Sequence, residues 1–261
     1  MKKIISRLLI ALLVLLVLAF VAVGLFMDRA IKGGVEKYGS AYTKVDVKLG
    51  SASLSLFSGN GKLTKFVVGN PEGFKSGFAI SMDTAGVSLK PGSVFGDKVV
   101  IKSINVEAPE IAFEVALTGN NLRKILNNLQ ETTGGGETAA PKPPEAQPAG
   151  VKPAKKLQVD DFLIKGGKIH LRASSPVGEK SATVALPEIH LTNLGQGPDG
   201  ITGAELAKIV LTAIETEAAK VAASAIPQLQ SGALFMSNDS GKAGTNNAGK
   251  AAKALGDFLK K

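Results

Sequence analysis

The 261-residue chain has no cysteine, no tryptophan and only two histidines, His170 and His190. Without cysteine there is no disulfide framework and no thiolate metal site, and an oxidising compartment is compatible. Two histidines without acidic companions at ligand spacing do not make a zinc site. Aromatic residues are 5% of the chain and do not interleave with its scattered basic residues, which argues against a nucleic-acid partner. The most informative absence is of charge. From Leu8 to Met27 no residue carries one.

At 1.5 Å per residue that run covers roughly 30 Å, the thickness of a bilayer's hydrocarbon core. A cleavable secretory signal has a shorter apolar core, about 7–15 residues, followed by a small-residue site. Ala22-Val23-Gly24 matches such a site poorly. The run therefore predicts a single transmembrane helix over 8–27. Lys2, Lys3 and Arg7 precede it without an acid, whereas Asp28 and Glu36 partly offset Arg29, Lys32 and Lys37 behind it. The basic flank stays cytoplasmic, so residues 1–7 are expected inside and the bulk of the chain outside. The formal charge is +9, and removing Lys2, Lys3 and Arg7 leaves +6 on the exported part. That surplus favours anionic headgroups, although ordinary solubility accounts for most of it.

After an expected juxtamembrane helix over 28–41, the apolar period becomes two. Val45, Val47 and Leu49 alternate with Lys44, Asp46 and Lys48, a half-buried strand. The phase shifts at Gly50-Ser51 and continues through Leu54 and Leu56, which predicts a bulge or bend. Ser58-Gly59-Asn60-Gly61 predicts a hairpin into a strand over 62–68. Further strands follow through Phe78, Ile80 and Met82, with a phase shift near Gly86, and over 98–106. In the clearest alternation Ile111, Phe113, Val115 and Leu117 face one way, and Glu110, Ala112, Glu114 and Ala116 the other. One apolar side only is the mark of an antiparallel meander. Lys44, Asp46, Glu110 and Glu114 are expected on its wet side.

Leu122, Ile125, Leu126 and Leu129 then fall at i, i+3, i+4 and i+7, an amphipathic helix closing a first part over 42–130. Residues 131–156 form a Pro-, Ala- and Gly-rich linker, expected to be disordered. The second part, 157–226, has a strand over 157–164, a turn at Gly166-Gly167, and alternation through Ile169 and Leu171. Pro187 divides the next apolar pair and suggests an edge or bend. Thr202 and Glu205 have capping-box spacing and open a second amphipathic helix, which Pro227 is expected to end. Residues 227–261 read as a flexible tail with a short basic helix.

No catalytic constellation is present. His170 and His190 alternate with apolar neighbours and are expected to face solvent. Asp160 and Asp161 are adjacent in a strand and point to opposite sides. There is no Gly-x-Ser-x-Gly elbow and no phosphate loop before a helix. The chain is expected to be no enzyme, with no catalytic residue, cofactor or metal. What remains is collective: an apolar sheet face that two helices must cover, or leave partly open as a binding surface. The fold class is α+β, mainly β: one transmembrane helix, then a curved antiparallel sheet with two amphipathic helices.

The segment Asn70-Pro71-Glu72-Gly73-Phe74 resembles the start of bacterial AsmA-like proteins. The resemblance continues through Val99-Val100-Ile101-Lys102-Ser103-Ile104 and Glu107-Ala108-Pro109-Glu110-Ile111 to Asn120-Asn121-Leu122, and Leu186-Pro187-Glu188-Ile189-His190-Leu191-Thr192-Asn193-Leu194-Gly195 resembles a phrase from short members of the group. The resemblance implies an inner-membrane-anchored periplasmic protein whose apolar β-groove holds membrane phospholipid, as in bridge-like lipid carriers. The groove candidates are Val45, Val47, Leu54, Leu56, Phe78, Ile80, Val99, Ile101, Ile111, Phe113, Val115 and Leu117. Eight strands spaced about 4.8 Å apart span only roughly 38 Å. Crossing a periplasm would thus need self-association or envelope protein partners. The rival expectation is a tethered scaffold acting through protein contacts in outer-membrane assembly.

Overall fold

The computed structural model describes residues 27–55, 57–116, 119–133, 155–175 and 178–230. Leu56, Leu117, the apolar run before Met27, most of the linker and the tail beyond Gln230 lie outside the described residues. Among the described residues no helix is long and apolar enough to cross a membrane.

Residues 27–43 form helix α1. One mixed sheet follows, built from β1 (Val47–Leu54), β2 (Asn60–Val68), β3 (Ile80–Leu89), β4 (Lys98–Glu107), β5 (Glu110–Ala116), β6 (Gly119–Asn120), β7 (Lys156–Lys165), β8 (Lys168–Ser175), β9 (Gly178–Ala185) and β10 (Ile189–Leu194). Helix α2 (Asn121–Thr133) precedes β7, and α3 (Gly203–Gln230) follows β10. The architecture is α+β and mainly β, with the sheet curled into half a barrel.

Most of these strands join end to end. Thr84 faces Glu107 of β4, and Ser81 faces Glu110 of β5, so β4 and β5 meet β3 in one continuous register. Beside them Glu107 faces Lys165 of β7, and Glu110 faces Lys168 of β8. On the far side Ile164 faces Ile189, while Lys168 faces Ala185. Each pair is thus one long strand with a crease, and the sheet is six such strands wide: β1, β2, β3, β4–β5, β7–β8 and β9–β10.

The crease runs straight across the sheet. The inward-facing side changes phase between Leu49 and Ala52, Leu63 and Phe66, Met82 and Ala85, Val106 and Pro109, Ile164 and Gly167, and Leu186 and Ile189. Every partner changes phase at the same line, so the register runs through the crease without a shift and one face stays apolar throughout. Lys65 (φ 51°), Ala108 (φ 48°) and Gly166 (φ 66°) take left-handed backbone there. Ala108 N donates to Lys165 O, Lys168 N to Pro109 O and Leu186 N to Gly167 O, each at 2.9 Å. A Cβ at Gly167 would lie 2.8 Å from Leu186 Cδ2 and 3.1 Å from Pro109 Cγ, so a side chain there would require these neighbours to shift.

Four expectations are corrected. The sheet is not wholly antiparallel, because β4 pairs β7 and β5 pairs β8 in parallel. Parallel neighbours need a long crossover, and α2 with the linker supplies one. Gly166-Gly167 is not a chain reversal but the crease within β7–β8. Helix α3 also passes Pro227 and ends at Gln230. So near a helix end, proline forfeits a single backbone bond. The phase shift in β3 falls at Asp83–Thr84 rather than near Gly86.

Among the described residues no strand neighbours the outer edge of β1, and α1 takes its place. Asp28 Oδ1 accepts Leu54 N at 3.0 Å, Glu36 Oε1 accepts Leu49 N at 3.0 Å and Ser40 Oγ accepts Val47 N at 2.9 Å. Lys32 Nζ donates to Gly50 O at 3.1 Å. The four residues recur every fourth position, so one helix stripe follows the strand edge. Exposed edges invite pairing with other chains, and this ladder blocks it.

Candidate functional site: a partly covered apolar face

Register places unbroken apolar rows across the inner face. One row above the crease is Val47, Val68, Ile80, Ile111, Ile169 and Val184. The first row below it is Ala52, Leu63, Ala85, Val106, Ile164 and Ile189, and the next is Leu54, Gly61, Val87, Ile104, Phe162 and Leu191.

Cover is uneven. Leu122, Ile125, Leu126 and Leu129 of α2 are at most 2% exposed, and α3 buries Leu211, Ile214, Ala218, Ala222 and Ala225. All of these except Leu129 belong to one cluster with Val45, Val47, Ile111 and Phe113. Those four groove candidates are therefore core residues. Ile80, Ile101 and Val115 are half-buried against the same cluster. Leu54, Phe78 and Val99 are half-buried too, while Leu56 and Leu117 lie outside the described residues. In the lowest complete row Leu54, Val87, Ile104 and Leu191 all remain half-buried, and only Phe162 is buried. At that same end a cleft of about 470 Å³ is lined by Ile201, Glu205, Lys208, Ile209 and Thr212.

The opposite end is locked by a polar network. Asn121 is fully buried, donates to Ala112 O at 2.7 Å and accepts Glu114 N at 3.0 Å, standing in for the strand that β5 lacks there. It also donates to Asn70 Oδ1 at 2.8 Å. Glu114 was expected on the wet side but is 2% exposed. The loop between β2 and β3 folds over it, donating Lys75 N (2.8 Å), Ser76 N (2.9 Å) and Ser76 Oγ (2.8 Å) to its carboxylate. Lys75 then bonds Glu179 of β9 and holds that carboxyl below the ordinary range. Nothing local in the sequence announces Glu114, because its donors come from a loop 38 residues away.

Lys44, Asp46 and Glu110 are exposed, as expected. His170 lies on the outer side near Glu110 (3.3 Å) and Thr183 (3.1 Å), and His190 lies 2.5 Å from Asp161. Among the described residues no three His, Asp or Glu side chains converge on a point that could hold a metal ion.

The Asn70–Asn121 contact joins two of the segments that carry the family resemblance. A model of the AsmA family matches residues 1–181. The chain belongs to the AsmA family. No curated protein and no solved structure matches it. The AsmA match takes in α1, the crease from β1 to β8, Glu114 and both asparagines. Helix α3 lies beyond it, so the AsmA segment includes most of the apolar face but only one of its two covering helices.

Proposed function

We propose that this protein is anchored in the inner membrane through residues 8–27, places its sheet in the periplasm, and binds phospholipid while helping to move it and maintain the envelope. The observation that carries this reading is the half-buried row Leu54, Val87, Ile104 and Leu191, an apolar strip that neither α2 nor α3 closes. Acyl chains would lie along such rows by loss of apolar surface from water, while headgroups stay at the rim. Membership of the AsmA family supports an envelope role of this kind. No bond is made or broken in this mechanism, and the chain acts without a catalytic residue or cofactor.

The test uses the full chain in membranes, with a photoreactive amino acid at Val87 or Ile104 and a control at Lys48 on the outer side. Phospholipid captured at the first two positions and not at Lys48 supports the reading. Capture at none of them overturns it. Ile111 and Phe113 are poor test positions, because a polar group in the core unfolds the protein whatever it binds.

The closed half of the face favours a second reading, a tethered scaffold that acts through protein contacts. It predicts protein adducts rather than lipid at Val87 and Ile104.

A further inference from the structure

Asp28 follows directly on the apolar run, and its carboxylate accepts the amide of Leu54 at the last residue of β1. That bond fixes which end of the sheet lies next to the run. The same end carries the β1–β2 turn, the short 3-10 helix Pro91–Phe95, the starts of β4 and β7, and the loop after β10. These pieces form one surface: Leu89 N donates to Gly59 O at 2.8 Å, Lys98 Nζ donates to Gly197 O at 3.1 Å, and Lys155 bonds the carbonyl of Val94.

Its composition is unlike the rest of the protein. Phe57 and Phe95 are 86% and 80% exposed, and with Tyr38 they are the exposed large hydrophobics among the described residues. At this end stand Arg29, Lys90, Lys98, Lys155 and Lys156 with Asp28, Asp97, Asp199 and Glu205, of which Asp28 is taken up by the Leu54 amide and Glu205 by Thr202. An exposed aromatic is costly in water and favourable at a bilayer interface, and lysines beside it meet anionic headgroups while their stems lie on apolar surface.

The geometry points to a second membrane contact: the end of the sheet bearing Phe57 and Phe95 seats on the anionic lipid surface of the membrane that holds residues 8–27. This rests on the anchoring proposed above. It adds that the sheet stands with its half-buried row on the bilayer side, where lipid enters.

Native cysteine is absent, so single cysteines can be labelled cleanly. Full-length Phe57→Cys, Phe95→Cys, Glu72→Cys and Ala19→Cys, each carrying a polarity-sensitive fluorophore, are reconstituted in vesicles of phosphatidylethanolamine and phosphatidylglycerol with lipid-borne quenchers. Quenching of 57 and 95 by headgroup-level quencher, several-fold above 72 at the opposite end, supports the proposal. Each Lys→Gln change among the four lysines should weaken this contact by about fivefold. Equal quenching at 57, 95 and 72, with 19 quenched by deep quencher, overturns the contact alone. An unquenched 19 overturns the anchoring and the contact together.

Discussion

Glu36 of α1 accepts the backbone amide of Leu49 at 3.0 Å, where a neighbouring strand's carbonyl would otherwise stand. Leu49 itself is 1% exposed, so its amide has no easy recourse to water. Glu36→Ala should cost about 1 kcal/mol, and Glu36→Gln, which keeps a carbonyl acceptor, should cost less. Hydrogen exchange at the Leu49 amide is the direct measure. Unchanged protection in the alanine variant would show that α1 merely lies beside β1 without holding it.

The crease makes opposite demands at neighbouring positions. Ala108 and Gly166 both have left-handed backbone, but only Gly166 does so without a Cβ penalty. A Cβ at Gly166 would meet nothing closer than 3.9 Å, so Gly166→Ala tests backbone strain alone. It should lower stability by about 1 kcal/mol, while Ala108→Gly should raise it by about 0.5 kcal/mol. Chemical denaturation of the two variants reads the signs.

Glu114→Leu removes the charged acceptor of three part-buried donors on the folded-over loop and should cost about 3 kcal/mol, because bonds to an ionised group are the stronger ones. Glu114→Gln keeps one oxygen and should lose about 1 kcal/mol. Exchange of the Lys75 and Ser76 amides should accelerate in both, and more in the leucine variant.

Much of this fold is written in local alternation. The strand through Ile111 and Phe113, the helix through Leu122 to Leu129 and the bend at Gly50 all follow from side-chain period. The alignment of six phase shifts does not. Each strand shows its own phase shift, but the common line emerges only when partners are known, and periodicity carries no information about partners. Gly166-Gly167 permits a reversal or a crease equally well, and the pairing of β7–β8 with β4–β5 makes it a crease. The parallel join of β4–β5 with β7–β8 is hidden for the same reason. At the candidate site, alternation identified the apolar side correctly, but cover by α2 and α3 is non-local. Val45, Val47, Ile111 and Phe113 thus look like groove wall in sequence and are core in the structure.

The start of α3 should be sensitive to acid. Glu205 accepts the Thr202 amide at 2.6 Å and its hydroxyl at 2.9 Å, and these bonds hold its carboxyl below the ordinary value of 4.5. A depressed carboxyl contributes stability above its unfolded pKa, and that stability is lost as pH falls through the folded value. Exchange protection in the first turn of α3 should therefore decline as pH drops from about 4.5. Glu205→Gln should abolish this dependence. Thr202→Ala should reduce it and cost about 1 kcal/mol at neutral pH.

Helix α3 should also be the looser of the two covers, for a reason visible in its side chains. Helix α2 inserts three leucines and an isoleucine within eight residues, each at most 2% exposed. After Leu211 and Ile214, the fully buried apolar side chains described in α3 are Ala218, Ala222 and Ala225, with Val221 half-buried beside them. At about 0.8 kcal/mol per buried methylene, each alanine contributes a few kcal/mol less than a leucine in its place. The capping box and the Asn120–Glu215 bond at 3.2 Å fasten the first half of α3, and the alanine half has nothing comparable among its described contacts. Local opening should thus begin there and expose the apolar face beside β9 and β10, against which α3 packs. Amides over 216–225 should exchange at least about tenfold faster than those over 122–130, a difference of about 1.4 kcal/mol in opening free energy. Equal protection would mean that α3 is no lid, and lipid would then be confined to the half-buried row from Leu54 to Leu191.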